Sequence, residues 1–174
     1  MKTLLITTQV LVFLLFSASL QGAEEMGVPT LKDSFKRRFH VGAAINKWQF
    51  KEEGQSTLRL VAHQFNSISP EDLLKWSSFN PKPGVYNYAD ADAWVEFGQK
   101  NNMYVHGHVL FWHSQTPKWV FQDKKGQLLN REQLLKRMRE RVRHLTKRYG
   151  KRIHAWDVVN EAFMDNGKLR DTQW

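Results

Sequence analysis

The sequence predicts an α/β fold in which about four parallel strands alternate with helices. Short segments rich in branched and small apolar residues are followed by longer segments whose apolar residues recur at helical spacing. Strands that are connected through helices lie parallel in one sheet, with right-handed crossovers. The chain has 174 residues, which is enough for one domain with a hydrophobic core of its own.

The first half of the chain contains two predicted strands, residues 39–46 and 65–69. The first strand is rich in small residues, which suit the tight interior of a closed sheet. Pro70 is expected to begin a helical turn after the second strand, because proline fits the first position of a helix. Helices are predicted at residues 55–63 and 89–100, and their apolar residues are expected to face the core: Leu58, Leu60, Val61, Trp94, Val95 and Phe97.

The second half of the chain continues the same alternation. Residues 103–111 form the third predicted strand, which is dense in β-branched and aromatic residues. Asn130 is expected to cap a helix that runs to residue 149, and Gln133 completes a capping box with it. Residues 153–161 form the fourth predicted strand, which ends on an amide beside a carboxylate.

The net charge of +9 comes from 26 Lys and Arg against 17 Asp and Glu, and it is concentrated between residues 131 and 152. A basic segment of this kind can bind nucleic acid. The same segment carries an apolar stripe at helical spacing, so its basic residues, Arg141 among them, are predicted to form the solvated face of an outer helix. We therefore predict no nucleic-acid partner. The stripe consists of Leu134, Leu135, Met138, Val142, Leu145 and Tyr149.

Residues 1–23 have the pattern of a secretory signal peptide. Lys2 supplies a positive charge, residues 10–16 form an apolar run, and small residues lead to Ala23. The run is too short to span a membrane, and an uncleaved anchor is the alternative. We therefore predict a secreted protein, extracellular or periplasmic, in which residues 24–174 form one domain without stable membrane anchoring. The absence of cysteine excludes disulfide and thiolate chemistry.

The last predicted strand ends in Asn160 and Glu161. In parallel sheets ligands bind at the carboxyl ends of the strands, so these two side chains are candidates for a site. A glutamate there can exchange a proton if its surroundings raise its pKa, whereas the alternative is a carboxylate that faces water.

Other polar residues near strand ends also have two interpretations. His106, His108 and His113 have spacings that occur in metal sites. The alternative, which we favour, is a set of polar groups on a strand whose alternation places His106 and His108 on one face, without a metal. Glu71 and Lys75 either bind a ligand or form an ion pair at i, i+4 on one helical turn.

Three segments carry a family resemblance. They are residues 65–76, FNSISPEDLLKW, residues 107–119, GHVLFWHSQTPKW, and residues 156–161, WDVVNE. In this order they resemble glycoside hydrolase family 10, the endo-1,4-β-xylanases, and the resemblance extends from about residue 39 to residue 174. It implies the amino-terminal half of a (β/α)8 TIM barrel, a partial catalytic domain truncated after its fourth strand, because a whole barrel needs roughly 250 residues.

The resemblance implies retaining hydrolysis of xylan or xylo-oligosaccharides through a covalent glycosyl-enzyme, with no cofactor. Glu161 is implied as the acid/base catalyst and Asn160 as a hydrogen-bond partner of the sugar 2-hydroxyl. Substrate binding is implied for Glu71, Asp72, Lys75, His108 and Trp112, with His113 buried behind them. Asp72 departs from the family, which usually has asparagine there and thus a donor as well as an acceptor.

The family nucleophile is a glutamate on a seventh strand, which this chain lacks. We therefore expect either a chain that is inactive without a carboxyl-terminal half or a non-catalytic sugar-binding remnant, and a β-glucanase on a related barrel is a further alternative. The family also implies a cis peptide bond between His108 and Val109, although Val109 replaces the usual threonine. Trp48, Trp119 and Trp156 are expected to pack in the core. The sequence indicates no oligomeric state.

Overall fold

Four parallel strands form the central sheet. The structure is a computed structural model that describes residues 28–174, so the predicted signal peptide lies outside the described residues. The strands are β1 (Gly42–Ile45), β2 (Ser67–Pro70), β3 (Tyr104–Gly107) and, after the two-residue strand β4 (Phe111–Trp112), β5 (Ala155–Trp156). The order is β1-β2-β3-β5 and every neighbouring pair is parallel, which confirms the predicted α/β class and strand order.

The third and fourth predicted strands are each divided in two. β3 is followed after a break by β4, and β5 is followed by β6 (Val159–Asn160), which pairs in parallel with β4. The break after β3 contains a cis peptide bond between His108 and Val109, as predicted. The two chain segments stay hydrogen-bonded across the break, because the Leu110 N–H donates to the Asp157 carbonyl oxygen at 3.0 Å.

Helices connect the strands, and one short helix precedes them. No helix among residues 28–174 is long and apolar enough to cross a membrane. The helices are α1 (Leu31–Phe35), α2 (Gln55–Gln64), α3 (Trp76–Phe79), α4 (Tyr88–Lys100) and α5 (Arg131–Tyr149). The described part of the chain also contains four 3-10 turns: Lys47–Phe50, Glu52–Gly54, Lys118–Val120 and Gly150–Arg152.

Pro70 ends β2 and does not begin a helical turn, so that prediction is wrong. It is the register partner of Ile45, and the Glu71 N–H donates to the Ile45 carbonyl oxygen at 2.9 Å. Pairing with β1 therefore keeps the backbone extended through the proline, which a parallel strand tolerates at its end. The helical turn begins instead at Trp76, with Lys75 in an extended conformation before it.

The core lies between the sheet and the helices that pack on it. Ile68 of β2 and Val105 of β3 are fully buried there. Gly98 lets α4 lie close to the sheet, because a Cβ atom at this position would be 2.5 Å from Val105 Cγ2. Trp119 and Trp156 pack against the same core, as predicted. Burial of these apolar groups is the main favourable contribution to the fold.

Two apolar residues that were predicted to pack are exposed. Leu60 of α2 has a relative accessibility of 57%, and Trp48 has 51%. α2 turns Leu58 and Val61 toward the core, and Leu60 lies off that face because successive helical residues are rotated by about 100°. Trp48 lies in a 3-10 turn whose next residue, Gln49, is buried in its place.

α5 begins with the predicted capping box. The Gln133 N–H donates to Asn130 Oδ1 and the Asn130 N–H donates to Gln133 Oε1, both at 3.0 Å. The buried residues of this helix are Arg141, Leu145 and Tyr149, which lie on one face because they are spaced by four. Arg141 is only 6% exposed, so its predicted place on the solvated face is wrong.

The Arg141 guanidinium donates hydrogen bonds to three backbone carbonyl oxygens. Its Nε atom is 2.7 Å from the Leu110 oxygen, and Nη2 is 2.6 Å from that of Leu74 and 2.9 Å from that of Val109. Burial lowers the pKa of Arg141 to about 9, so the group stays protonated at neutral pH. Arg141 therefore fixes the segment before α3 to the segment between β3 and β4.

Candidate active site

The β4 and β6 pair brings three polar or aromatic side chains together at the carboxyl edge of the sheet. Trp112 of β4 and Asn160 of β6 are register partners. Glu161 follows Asn160, and the Trp112 Nε1–H donates to Glu161 Oε2 at 3.0 Å. An indole, an amide and a carboxylate therefore lie side by side at this edge.

The Glu161 carboxylate is half exposed and makes its side-chain contacts through one oxygen. His113 Nε2 lies 3.7 Å from the same Oε2 atom that accepts from Trp112, but the His113 side chain is partly exposed and not buried as predicted. The backbone of Glu161 has a φ of +52°, in the left-handed region that residues other than glycine rarely adopt. The Arg170 side chain donates to the Glu161 carbonyl oxygen at 3.2 Å. Backbone strain of this kind is concentrated at functional sites.

Trp174 supports Trp112 from the core side. Its Nε1–H donates to the Trp112 carbonyl oxygen at 3.1 Å. Its ring stacks on Trp76 with a centroid distance of 5.8 Å and meets Phe121 edge to face at 4.8 Å. Trp174 was not predicted to take part in the site, because no local pattern indicates which distant segment a tryptophan contacts.

Asp157 holds two histidines in one hydrogen-bonded network. His106 Nε2 and His108 Nδ1 each lie 2.9 Å from one of its carboxylate oxygens, which confirms that both histidines occupy one face of the strand. Burial of Asp157 opposes ionisation, but hydrogen bonds from His108 and His106 outweigh it and hold the pKa of this carboxyl below its usual range. Asp157 was not predicted as a site residue, although a charged residue inside an apolar strand is a recognisable signal.

Lys75 connects the end of β2 with Trp112. Lys75 is a buried residue, and its Nζ atom lies 2.8 Å from Asp72 Oδ1 and 5.0 Å from the centroid of the Trp112 ring. The hydrogen bond from Lys75 holds the pKa of Asp72 below its usual range, and a weaker one from Asn46 adds to the effect against the opposing influence of burial. An ion pair between Glu71 and Lys75 was one of the two interpretations of these residues. It is not formed, because Lys75 pairs with Asp72.

Asn46 joins the end of β1 to the same surface. Its Nδ2 atom lies 3.3 Å from Glu71 Oε2 and 3.2 Å from Asp72 Oδ2. Its Oδ1 atom accepts from the Lys47 N–H at 2.7 Å. Asn46 was not predicted as a site residue, although an amide directly after a strand is a recognisable signal.

These contacts connect the predicted site residues. The His108 ring lies 6.2 Å from the Trp112 ring, which in turn contacts Lys75 and Glu161. Within residues 28–174, no group of three or more candidate side chains is arranged to hold a metal ion. The connected set is Glu71, Asp72, Lys75, His108, Trp112, His113, Asn160 and Glu161.

Residues 30–174 match the family model described as Glycosyl hydrolase family 10. The match covers most of the chain and includes every strand of the sheet and every residue of the connected set. The chain belongs to glycosyl hydrolase family 10.

Curated relatives and solved structures agree with the family. The chain is 40% identical over 146 residues to endo-1,4-beta-xylanase A of Xylanibacter ruminicola, covering 84% of this chain and 40% of the relative. It is 38% identical to a beta-1,4-xylanase of Dictyoglomus thermophilum, covering 94% of this chain and 45% of that one. A GH10 endoxylanase retrieved from a sugarcane soil metagenome aligns with a TM-score of 0.80 at 41% identity, covering 83% and 42%. The chain thus spans less than half the length of these relatives, and its parallel strands and helices are part of a TIM barrel.

Proposed function

We propose that this chain forms the acid/base and sugar-binding side of an endo-1,4-β-xylanase cleft, which hydrolyses xylan with retention. The observation that carries the proposal is the hydrogen bond from Trp112 to Glu161 beside the register pair of Trp112 and Asn160. A glycosidase needs an apolar face for a sugar ring, a hydrogen-bond partner for its hydroxyl and a carboxyl group at the leaving oxygen. The xylanase names of the relatives support xylan as the substrate.

Glu161 is proposed as the general acid in the first step and the general base in the second. Its contacts within residues 28–174 are at Oε2, which leaves Oε1 to hold the proton that goes to the leaving oxygen. In the second step the same carboxylate takes a proton from the attacking water. Asn160 would hydrogen-bond the sugar 2-hydroxyl, a contact that strengthens in the transition state. His113, whose side chain is only partly buried, would steady the carboxylate through its Nε2 atom.

Lys75, Glu71 and His108 are proposed to bind hydroxyls of the sugars on the non-reducing side. Lys75 offers donors and Glu71 offers acceptor oxygens. Because Asp157 faces Nδ1 of His108, a neutral His108 carries its proton there and its Nε2 atom can accept from a hydroxyl. Asp72 is ionised and can only accept, and its pairing with Lys75 offsets its charge in the cleft.

A retaining mechanism also needs a nucleophilic carboxylate about 5–5.5 Å from the acid/base group. The other carboxylates at this edge are engaged: Asp72 by Lys75, Asp157 by two histidines, and Glu71 by Asn46. We therefore propose that the nucleophile lies outside residues 28–174. General acid catalysis alone supplies about 10²- to 10⁴-fold, against typical enzymatic enhancements of about 10⁶-fold or more.

Two measurements on the full chain and its Glu161→Gln variant test this proposal. The wild-type chain should release no more reducing sugar from xylan than Glu161→Gln does. Both proteins should bind xylotriose in a calorimetric titration. Release well above the variant would indicate that another carboxylate acts as nucleophile, with Asp72 the first candidate. Absence of xylotriose binding would overturn the assignment of the sugar-binding residues.

A non-catalytic sugar-binding protein is the second candidate. The engagement of the other carboxylates favours it, because such a protein needs only the sugar contacts. The two candidates differ when the carboxyl-terminal half of a family 10 barrel is supplied in trans. Xylan hydrolysis should appear if this chain provides a working acid/base side, and it should stay absent if the chain only binds sugar.

We propose that residues 1–23 direct export and are then removed. The support is the sequence pattern of a positive charge, an apolar run and small residues. Expression with these residues in a bacterial host should place the protein outside the cytoplasm, with a mass reduced by that of the leader. A cell-associated product of full mass would indicate an uncleaved anchor.

A further inference from the structure

Two arginines one turn apart on α5 carry charge inside the molecule without a carboxylate partner. Arg141 is 6% exposed, and its three hydrogen bonds all go to backbone carbonyl oxygens. Arg137 is partly buried and likewise donates to the carbonyl oxygens of Trp119 and Gln122. Neither arginine takes part in a salt bridge within residues 28–174. Because like charges at i, i+4 repel and buried charges are usually paired, a negative charge between these two groups would stabilise them.

Both arginines border one small cavity, whose volume is about 40 Å³. Two indole rings form part of its wall. The guanidinium carbon of Arg141 lies 4.6 Å from the centroid of the Trp76 ring, and that of Arg137 lies 5.5 Å from the centroid of the Trp119 ring. A single water molecule needs about 10–15 Å³ of such space, so the cavity has room for one small ion or a few waters.

The residues around the cavity have hydrogen-bond donors that lack acceptors. Nε1 of Trp76 is buried and has no hydrogen-bond partner in the described part of the chain. Nη1 of Arg141 makes no hydrogen bond within residues 28–174, since the bonds of this side chain use Nε and Nη2. Burial raises the pKa of Tyr86, so its hydroxyl group stays protonated and is a further donor at the cavity. A ligand that satisfies these groups must accept hydrogen bonds, as an anion does.

The charged groups around the cavity add up to a positive charge. Glu140 also borders it and opposes an anion, but this residue is exposed to solvent. His144 adds no charge at neutral pH, because burial and then the nearby positive charges lower its pKa. Two arginines therefore face one carboxylate, which favours a ligand with a single negative charge.

We propose that this cavity is a binding site for a monovalent inorganic anion of the size of chloride. The guanidinium groups of Arg137 and Arg141 would hold the anion, and the Trp76 N–H would donate to it. The bound anion would offset the buried charge and stabilise the packing of α5 on α3. The cavity shares no residue with the connected set of the candidate active site, so the inference does not rest on the proposed function.

Thermal unfolding of the full chain in sodium chloride and in sodium gluconate at equal ionic strength tests the site, because gluconate is too large for the cavity. The unfolding midpoint should rise with chloride and then level off, by roughly 3–6 °C at ten times the dissociation constant. Gluconate should not reproduce this rise. Equal midpoints in the two salts at every concentration would overturn the proposal.

Three variants of α5 locate the effect. Arg137→Gln should raise the chloride concentration that gives half of the rise by about tenfold or more, because a charged donor is lost. Arg139→Gln is the matched control on the exposed face of the helix and should leave that concentration unchanged. Glu140→Gln should lower it, because the opposing carboxylate is removed. Equal values for Arg137→Gln and Arg139→Gln would overturn the site, and if Arg137→Gln does not fold, equal values for Glu140→Gln and wild type would do so.

Crystals grown in sodium bromide give a direct readout of the same site. An anomalous scattering peak should lie between the guanidinium groups of Arg137 and Arg141 in the wild type. The peak should be weaker or absent in Arg137→Gln and present in Arg139→Gln. A wild-type cavity that contains only water under these conditions would overturn the proposal.

Discussion

Trp112 donates a hydrogen bond to Glu161 at 3.0 Å, although 49 positions separate the two residues in the sequence. The bond exists because β4 and β6 pair in parallel with Trp112 opposite Asn160. A slip of the pairing by one residue would turn these side chains to the other face of the sheet. The contact between the indole and the carboxylate therefore depends on strand register, and neither segment defines it alone.

Replacing Trp112 should weaken sugar binding in proportion to the aromatic surface removed. We expect Trp112→Ala to lower the affinity for xylobiose by about tenfold or more, and Trp112→Phe to lower it less, because phenylalanine keeps an apolar face without the N–H donor. Calorimetric titration measures both changes. Unchanged affinity in Trp112→Ala would contradict the placement of a sugar ring against this indole.

Arg141 should contribute more to stability than any exposed arginine of α5. Arg141→Met leaves three buried carbonyl oxygens without their donor, so we expect the free energy of unfolding to fall by about 3–5 kcal/mol. Arg141→Lys should recover part of the loss. Urea denaturation measures these values, with Arg139→Met as the control on the exposed face of the same helix. The control should stay within about 0.5 kcal/mol of the wild type, and an equal loss in both would refute the role of the buried contacts.

Asp157 should make stability depend on pH in a defined direction. Its folded-state pKa is lowered, so the ionised form stabilises the fold above the ordinary value of 3.8, and this contribution is lost as pH falls through the folded-state pKa. At pH 7 we expect Asp157→Asn to reduce the free energy of unfolding by on the order of 1 kcal/mol, since the carboxylate is partly exposed.

The difference between wild type and Asp157→Asn should shrink when urea denaturation is repeated below pH 3.8. Asp165→Asn is a control, because Asp165 lies on an exposed loop. If the free energies of unfolding of wild type and Asp157→Asn differ by the same amount at pH 7 and below pH 3.8, ionisation of Asp157 is not the source of the stabilisation.

Gly107 should not tolerate a side chain. A Cβ atom there would lie 2.4 Å from Trp156 Cε3, so we expect Gly107→Ala to lower the free energy of unfolding by about 1–3 kcal/mol. Gly42→Ala is a matched substitution in the same sheet, where the nearest atom is Ser67 Cβ at 3.3 Å, and it should have a smaller effect. Equal losses in the two variants, measured by urea denaturation, would contradict the close packing of Trp156 on β3.

The sequence alone determined the features that depend on local periodicity and on short motifs. Alternation of strands and helices predicted the parallel sheet, and the capping box of Asn130 and Gln133 fixed the start of α5. Period-two alternation placed His106 and His108 on one face. Each of these signals acts over a few residues, where backbone geometry dictates which side chains are neighbours.

Tertiary structure decided the features that depend on partners distant in the chain. Pro70 stayed extended because β1 pairs with it, and Arg141 turned inward because its donors meet carbonyl oxygens that lie 31 to 67 positions away. Trp48 became exposed because Gln49 took the buried position of its turn. An arginine in a basic helix or a tryptophan after a strand has the same local pattern whether it is buried or exposed. Only the packing of other segments supplies the acceptors or the cavity that fixes the orientation of the side chain.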